Sequence, residues 1–312
     1  MFVIKEGEKP CYSKNSVVTV GTFDGIHLGH KKIISDLLEI KNRKNLRSVV
    51  VTFEPHPQLI LKNKHQAIKL LSTTEEKLEE FKKIGVDLVY ILNFTREFAE
   101  ISAEDFFRNY LIEKIGLTDI VLGYDHNFGK NREGNFESLK GFGEKYGFGV
   151  HKVDEFKING DRVNSTTIRN FLAEGNVSKA SFLLGNNYYF SGKVVSGDRR
   201  GSTIGFPTAN IEPLSEHKLI PKNGVYFVEA EVKGMKFHGM MNIGNRPTIA
   251  ENKEVFIEVN LFGFEDDIYG ETVKIEFIEF LRDERKFSSL EELTSQLKKD
   301  KETCMGLIKK QH

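Results

Sequence analysis

The hydrophobic rhythm of this chain changes between residues 155 and 188, and that change constrains the fold more than any other feature. Up to about residue 155, short runs rich in β-branched residues alternate with stretches of helical period. SVVTV (16–20), RSVVVTF (47–53), DLVYIL (87–92), DIVLG (119–123) and FGVHKV (148–153) read as buried strands. Between them, Ile33, Ile34, Leu37 and Leu38 mark the inner face of one helix. Thr73 with Glu76 forms a capping-box signature ahead of Leu78, Phe81 and Ile84, and Ser102 with Asp105 signals a third helix start. Strands and helices in this alternation predict a parallel sheet with crossover helices.

From residue 188 the period becomes two. In GVYFVEAEV, Tyr226, Val228, Ala230 and Val232 alternate with Phe227, Glu229 and Glu231, and ETVKIEF sets Val273, Ile275 and Phe277 against Lys274 and Glu276. Glycine turns between such strands predict an antiparallel barrel or sandwich. The segment 164–185 reads as helix, stops at Gly175 and restarts near Asn176. A last helix opens near Ser288 or Ser289, with Glu291 and Glu292 as capping partners and Leu290, Leu293 and Leu297 on one face. A length of 312 residues supports two domains, expected at 1–185 and 186–312.

Composition narrows the partners. Forty-five basic residues balance 45 acidic ones, so nothing asks for a polyanion or a membrane surface, and no apolar run approaches the roughly 18 residues of a membrane span. The aromatic stretch KGFGEKYGFG, in a chain with 25 Phe and no Trp, lacks the basic patch that nucleic-acid binding needs. Cys11 and Cys304 lie at opposite ends without a CxxC partner or a secretory segment, so no disulfide framework and a cytoplasmic location are expected.

Chemistry concentrates at a few places. A strand ending in Gly21, then TFDG, then a helix starting near His30 puts backbone N–H groups and a positive helix end at the carboxyl edge of a sheet, where phosphate binds well. His27 and His30 both converge there. A bare HxxH is a turn residue followed by a cap; the strand, GTFDG, HLGH and helix context favours phosphate contact. Glu54 and His56 in TFEPHP, and Asp125, Asn127 and Arg132 in GYDHNFGKNREG, follow strands that end at the same edge. In NSTTIRNF, capping alone explains Ser165 and Thr166, and capping plus an Arg169 that neutralises a β- or γ-phosphate is the functional alternative. In the second half, Thr208 and Asn210 share a face and offer neutral oxygens suited to Mg²⁺ with nucleotide phosphates, or form a simple turn. Glu258, between Ile257 and Val259, is an outward residue or an acid/base group in a cavity. There is no Walker A lysine motif.

Taken together, GxFDGxHxGH, TFxPHP, GYDxxFG and STTIR resemble the adenylyltransferase half of the bacterial bifunctional riboflavin kinase and FAD synthetase family. GFPTAN, NGVYF, NIGNRPT, IEVNLF with DDIYG, and the closing LRDERKFSSLEELTSQLKKD resemble its riboflavin kinase domain. The resemblance implies an α/β Rossmann-like nucleotidylyltransferase domain followed by a mainly antiparallel six-stranded β-barrel with a C-terminal helix. It implies phosphorylation of riboflavin by ATP to give FMN and ADP, with Glu258 as base, Thr208 and Asn210 at Mg²⁺, and Gly205 and Pro207 at the nucleotide. It further implies adenylylation of FMN to FAD with release of pyrophosphate, served by Gly21, Phe23, Asp24, His27, His30, Asp125, Ser165, Thr166 and Arg169.

Four places depart from the family pattern: Ser202 where Arg is usual, Asn260 where His is common, Asn164 where Ser is usual, and Phe262-Gly263-Phe264 in the segment before DDIYG. Loss of an Arg at 202 would weaken ATP binding or move that role to Arg199 or Arg200. A kinase with a silent adenylyltransferase half is opposed by the intact HLGH and STTIR. A flavin-binding protein without activity is opposed by Glu258, Thr208 and Asn210.

Overall fold

The computed structural model describes residues 1–8, 12–61, 68–124, 128–130, 133–158, 160–197, 204–246 and 254–311. The chain divides into two compact units, Met1–Ser165 and Thr166–His312.

In the first unit, six parallel strands are β1 (Phe2–Lys5), β2 (Ser16–Val20), β3 (Arg47–Glu54), β4 (Leu88–Asn93), β5 (Leu117–Gly123) and β6 (Gly149–Val153), in the order β1-β4-β3-β2-β5-β6. The helices are α1 (Leu28–Lys44), α2 (Pro57–Leu61), α3 (Thr74–Ile84), α4 (Arg96–Ala99), α5 (Ala103–Phe106), which runs into a π-helical turn at Phe107–Ile112, and α6 (Phe136–Tyr146). A short hairpin, β7 (Lys157–Ile158) with β8 (Asp161–Arg162), follows. Alternate strand residues feed two cores. Val17, Val50 and Val89 pack against Ile34, Leu37 and Phe81 on one face. Val18, Val49 and Val51 pack against Phe106, Phe107 and Leu139 on the other. Each such side chain contributes about 1.5–3 kcal/mol on burial, and burial on both faces is why the strands read as continuous apolar runs.

From β2 the chain builds outward through β3 and β4, then returns to place β5 on the other flank of β2. That reversal makes the carboxyl ends of β2 and β5 a topological switch point, the usual ligand crevice of an open α/β sheet. The capping box at Thr73 and Glu76 is present as expected, and Gly85 ends α3 at φ 94°. KGFGEKYGFG supplies the second half of α6 and its glycine cap, and its Phe142, Tyr146 and Phe148 pack on the sheet core. Its aromatics serve the interior.

The second unit holds α7 (Ser165–Ala173, from Thr166 on), α8 (Val177–Leu184), a barrel and α9 (Leu290–Gln311). The barrel strands are β9 (Tyr189–Val195), β10 (Ala209–Pro213), β11 (Gly224–Val232), β12 (Met235–Arg246), β13 (Glu254–Leu261) and β14 (Thr272–Arg282). They close in the order β10-β13-β12-β11-β14-β9, each neighbour antiparallel. Closure leaves no strand edge exposed to pairing with another chain. Between β11 and β12 a two-residue turn has Lys233 at φ 51° and Gly234 at φ 79°, the paired positive φ values that match strand twist. The period-two expectation for β11 holds from Val228 onward, but Phe227 is buried as well. It joins Phe206, Met240 and Cys304 in a cluster beneath α9, which covers that outer face. Burial there pushes the Cys304 thiol up to about 12, so it is a packing residue.

Asp300 fixes α9 to the barrel. Its carboxylate accepts from Arg282 Nε at 3.0 Å, Arg282 Nη2 at 2.8 Å and Gln296 Nε2 at 2.8 Å. Removing the carboxylate leaves the half-buried Arg282 guanidinium without its counter-charge and frees the Gln296 amide, so Asp300→Ala should destabilise this unit by about 3 kcal/mol in urea unfolding. An unchanged midpoint would show that the pair does not hold the helix.

Candidate functional site

The first site is built on the turn between β2 and α1. Gly21 N–H donates to Val51 C=O at 3.0 Å, continuing the sheet ladder, and the Phe23 ring lies 3.1 Å from where a Cβ on Gly21 would stand. Phe23 (φ 49°), Gly25 (φ 87°) and Ile26 (φ 37°) then turn the chain through the left-handed region. Two of these are not glycine, and a bulky residue holds such a φ only when its surroundings fix it. Phe23 and Ile26 are fixed by burial in the core. Asp24 is fixed by its carboxylate, whose Oδ1 accepts from Leu71 N–H at 2.9 Å and Ser72 N–H at 3.1 Å, while Gly25 N–H donates to Ser72 Oγ at 2.9 Å.

His27 is the N-cap of α1, and its Nδ1 accepts from His30 N–H at 3.3 Å. The two imidazoles stack with centroids 3.7 Å apart and planes 16° apart, and the Phe23 ring meets His30 edge-on at 5.2 Å. Gly29 makes room for this: a Cβ there would lie 3.2 Å from His27 Nδ1 and 3.3 Å from Val163 O. Burial first, then the neighbouring charges of His27 and Lys77, hold His30 well below the usual histidine range, so its ring is neutral at pH 7. Its Nδ1 is buried without a hydrogen-bond partner among the described residues. A helix N-terminus with an unpartnered neutral imidazole accommodates a phosphate oxygen.

Ser165 belongs to the same turn, because its Oγ donates to Asp24 C=O at 3.0 Å, which braces the turn. Phe23 and Asp24 likewise act from beneath: one is buried against His30 and the other is bonded to backbone. Thr166 and Arg169 lie on α7, among the residues of the second unit. His56 accepts from Gln58 N–H through Nδ1 at 3.1 Å, a local turn contact at the start of α2. Asp125, Asn127 and Arg132 lie outside the described residues. Sequence motifs missed Lys77, whose ammonium is buried and donates to Thr22 C=O at 3.3 Å. The available signal was a lysine on the apolar face of α3, one turn before Phe81.

The second site lies on the outer face of the barrel. Gly205, at φ 80°, turns the chain so that Phe206 anchors under α9 and Pro207 and Thr208 lead into β10. Asn260 Nδ2 donates to Pro207 C=O at 2.6 Å, which gives that departure from the family pattern a structural role. Directly paired residues across antiparallel strands share a face. Asn210 pairs with Glu258, and Glu258 pairs with Asn242, so the three stand side by side across β10, β13 and β12. Glu258 is half-buried on the face it shares with Asn260 and, through the register, with Met240 and Phe227. Beside this row a cavity of about 550 Å³ is lined by Thr208, Asn210, Glu265, Asp266, Asp267 and Tyr269 among others. Hard oxygen donors of this kind suit Mg²⁺, and no set of three or more His, Cys, Asp or Glu able to hold a metal occurs among the described residues. A cation here would complete its shell with phosphate and water. Ser202, Arg199 and Arg200 lie outside the described residues.

His30 gives a test of this geometry. A depressed folded-state pKa means that the unfolded chain binds the proton more readily, so His30 contributes stability that is full above about 6.5 and lost as pH falls toward the folded value. In a histidine NMR titration the His30 ring should stay neutral from pH 8 to about pH 6. A midpoint near 6.5 would contradict the buried, stacked arrangement.

The FAD synthetase family model matches residues 9–167 and the riboflavin kinase family model matches residues 184–308. A bifunctional riboflavin kinase/FMN adenylyltransferase of Listeria monocytogenes is 40% identical over 296 residues, covering 95% of this chain and 93% of the relative. The protein of the same description from Escherichia coli K12 is 38% identical over 297 residues, with 94% of each covered. A crystal structure from Streptococcus pneumoniae, described as a macrolide-efflux protein, superposes with a TM-score of 0.91 at 34% identity, over 98% of this chain and 99% of that one.

Proposed function

We propose, from the premise that this chain belongs to the family of bifunctional riboflavin kinase/FMN adenylyltransferases, how its residues divide the work of the two activities. It is a riboflavin kinase through its C-terminal domain and an FMN adenylyltransferase through its N-terminal domain. The functional boundary is placed at 185/186. The observation that carries the assignment is the stacked His27–His30 pair at the α1 N-terminus with an unpartnered imidazole nitrogen.

In the adenylyltransferase, a phosphate oxygen of FMN attacks the α-phosphorus of ATP, and the bond to the β-phosphate breaks to release pyrophosphate. The nucleophile is already an anion, so no base is needed. His27 and His30 hold and orient the ATP phosphates at the helix end, with Thr166 and Arg169 as further phosphate contacts and Asp125 near the flavin or nucleotide. Gly21, Phe23, Asp24 and Ser165 keep the turn in the geometry that phosphate requires.

In the kinase, the 5′-hydroxyl of riboflavin attacks the γ-phosphorus of ATP and ADP departs. Glu258 accepts the hydroxyl proton, and Asn210 and Asn242 on either side hold its strand face polar within an otherwise apolar wall. Gly205 and Pro207 shape the approach to the nucleotide. Thr208 and Asn210 would hold Mg²⁺, which when bound neutralises charge on the ATP phosphates. Both activities belong in the cytoplasm and call on neither nucleic acid nor a membrane. Among the described residues no helix is long and apolar enough to cross a membrane, and no observation favours the efflux role given to the structural neighbour.

Two substitutions separate the sites. His30→Ala should lower FAD formation from FMN by about 10²-fold or more while FMN formation continues. Glu258→Ala should lower FMN formation by about 10²–10⁴-fold while FAD still forms when FMN is supplied. A variant that keeps the activity assigned to its residue removes that residue from the mechanism. Chelation of divalent cations should stop both reactions, and a kinase that persists in excess chelator would contradict the assignment of Thr208 and Asn210 to a cation.

A further inference from the structure

Lys77 has no part in the roles assigned so far, yet it is buried against the β2–α1 turn of the first site. It lies one turn into α3 on the same inward face as Phe81, and only 5% of it is exposed. Its ammonium makes one hydrogen bond among the described residues, to Thr22 C=O at 3.3 Å. An ammonium carries three donors, so two are left without a protein acceptor there, and a buried cation in that condition is costly unless an anion arrives. Thr22 belongs to the β2–α1 turn itself. The charges that act on Lys77 come from Asp24, Glu54 and Glu75, and Lys77 in turn acts on His30. Asp24 directs Oδ1 to the Leu71 and Ser72 N–H groups, and Glu54 bonds the Thr74 hydroxyl. These carboxylates balance the ammonium from a distance without saturating its donors.

The turn therefore combines a helix N-terminus, a neutral imidazole with an unpartnered nitrogen and one buried full positive charge. His30 supplies hydrogen-bonding capacity but no charge. Resting on the adenylyltransferase reading above, we propose that Lys77 donates directly to the ATP phosphate held at this turn and neutralises the charge that builds as the adenylyl group passes to FMN. The bond that forms joins an FMN phosphate oxygen to the α-phosphorus. The bond that breaks is the bridge from the α-phosphorus to the β-phosphate, and its electron pair leaves with pyrophosphate. Lys77 keeps its proton throughout and acts as a fixed cation. The competing role is purely structural, a tether that holds Thr22 in place.

The test uses the full chain with Lys77→Met and Lys77→Ala, and far-UV circular dichroism with thermal unfolding of each variant reports that the first unit, which holds Lys77, is folded. Lys77→Met should lower kcat for FAD formation by about 10²-fold, with the KM for FMN within about twofold of the parent. Added methylammonium should restore part of the Lys77→Ala activity in a saturable way and leave Lys77→Met unchanged, because only the alanine variant opens space for the amine. A loss below about threefold in Lys77→Met, or a folded Lys77→Ala that no amine rescues, would overturn the proposal. If the parent chain makes FAD and Lys77→Met does so equally well, the Lys77 role alone fails. If the parent makes no FAD from FMN and ATP, the adenylyltransferase reading fails, and the Lys77 role with it.

Discussion

Two backbone N–H groups, from Leu71 and Ser72, converge on one oxygen of Asp24, and the geometry of the first site depends on that contact. The carboxylate is buried, so its charge must be met by hydrogen bonds, and charge-assisted bonds of this kind are about twice as strong as neutral ones. By tying the β2–α1 turn to the strand of chain that leads into α3, Asp24 lets Phe23 and Ile26 occupy left-handed backbone with their side chains in the core. Phe23 in turn sets His30, His30 stacks on His27, and the α3 start brings Lys77 beneath the same turn. One carboxylate thus organises groups drawn from three parts of the sequence.

The second unit solves a different problem. A carboxylate that removes a proton needs a partly dry place, and a closed barrel has a dry interior but a wet exterior. Glu258 is half-buried on the outer face, the face that also carries Phe227 and Met240 of the cluster beneath α9, and its register neighbour Asn210 lines the 550 Å³ cavity. The asparagines at 210 and 242 give it polar neighbours in register, and Asn260 fastens the Pro207 segment to the same face. Site and scaffold here are one set of strand pairings.

Much of this was legible in the sequence. Strands buried on both faces are long β-branched runs, so β2 to β6 stood out, and the capping box at Thr73 was written in the residues that form it. β1 was not legible, because FVIK at an exposed edge carries neither a long apolar run nor alternation. The second burial of Phe227 depends on α9, a partner more than 60 residues away by sequence position, and a local pattern cannot register it. The site motifs named His27, His30, Asp24 and Ser165, and the fold adds what some of them touch: Asp24 and Ser165 bond backbone groups, and Phe23 packs against an imidazole. Lys77 escaped notice because no motif contains it. Its place on the apolar face with Phe81 was legible, but only the fold brings that face to Thr22 of the β2–α1 turn.

The central claim is that one chain carries two consecutive phosphate chemistries at two separately built sites. The most direct measurement is a chromatographic time course of the purified chain with riboflavin, ATP and Mg²⁺, resolving FMN from FAD. FMN that rises first and then gives way to FAD is the predicted result. FMN that accumulates without FAD would contradict the account of the His27–His30 turn, and the absence of both products would contradict the account of Glu258 and the barrel as well.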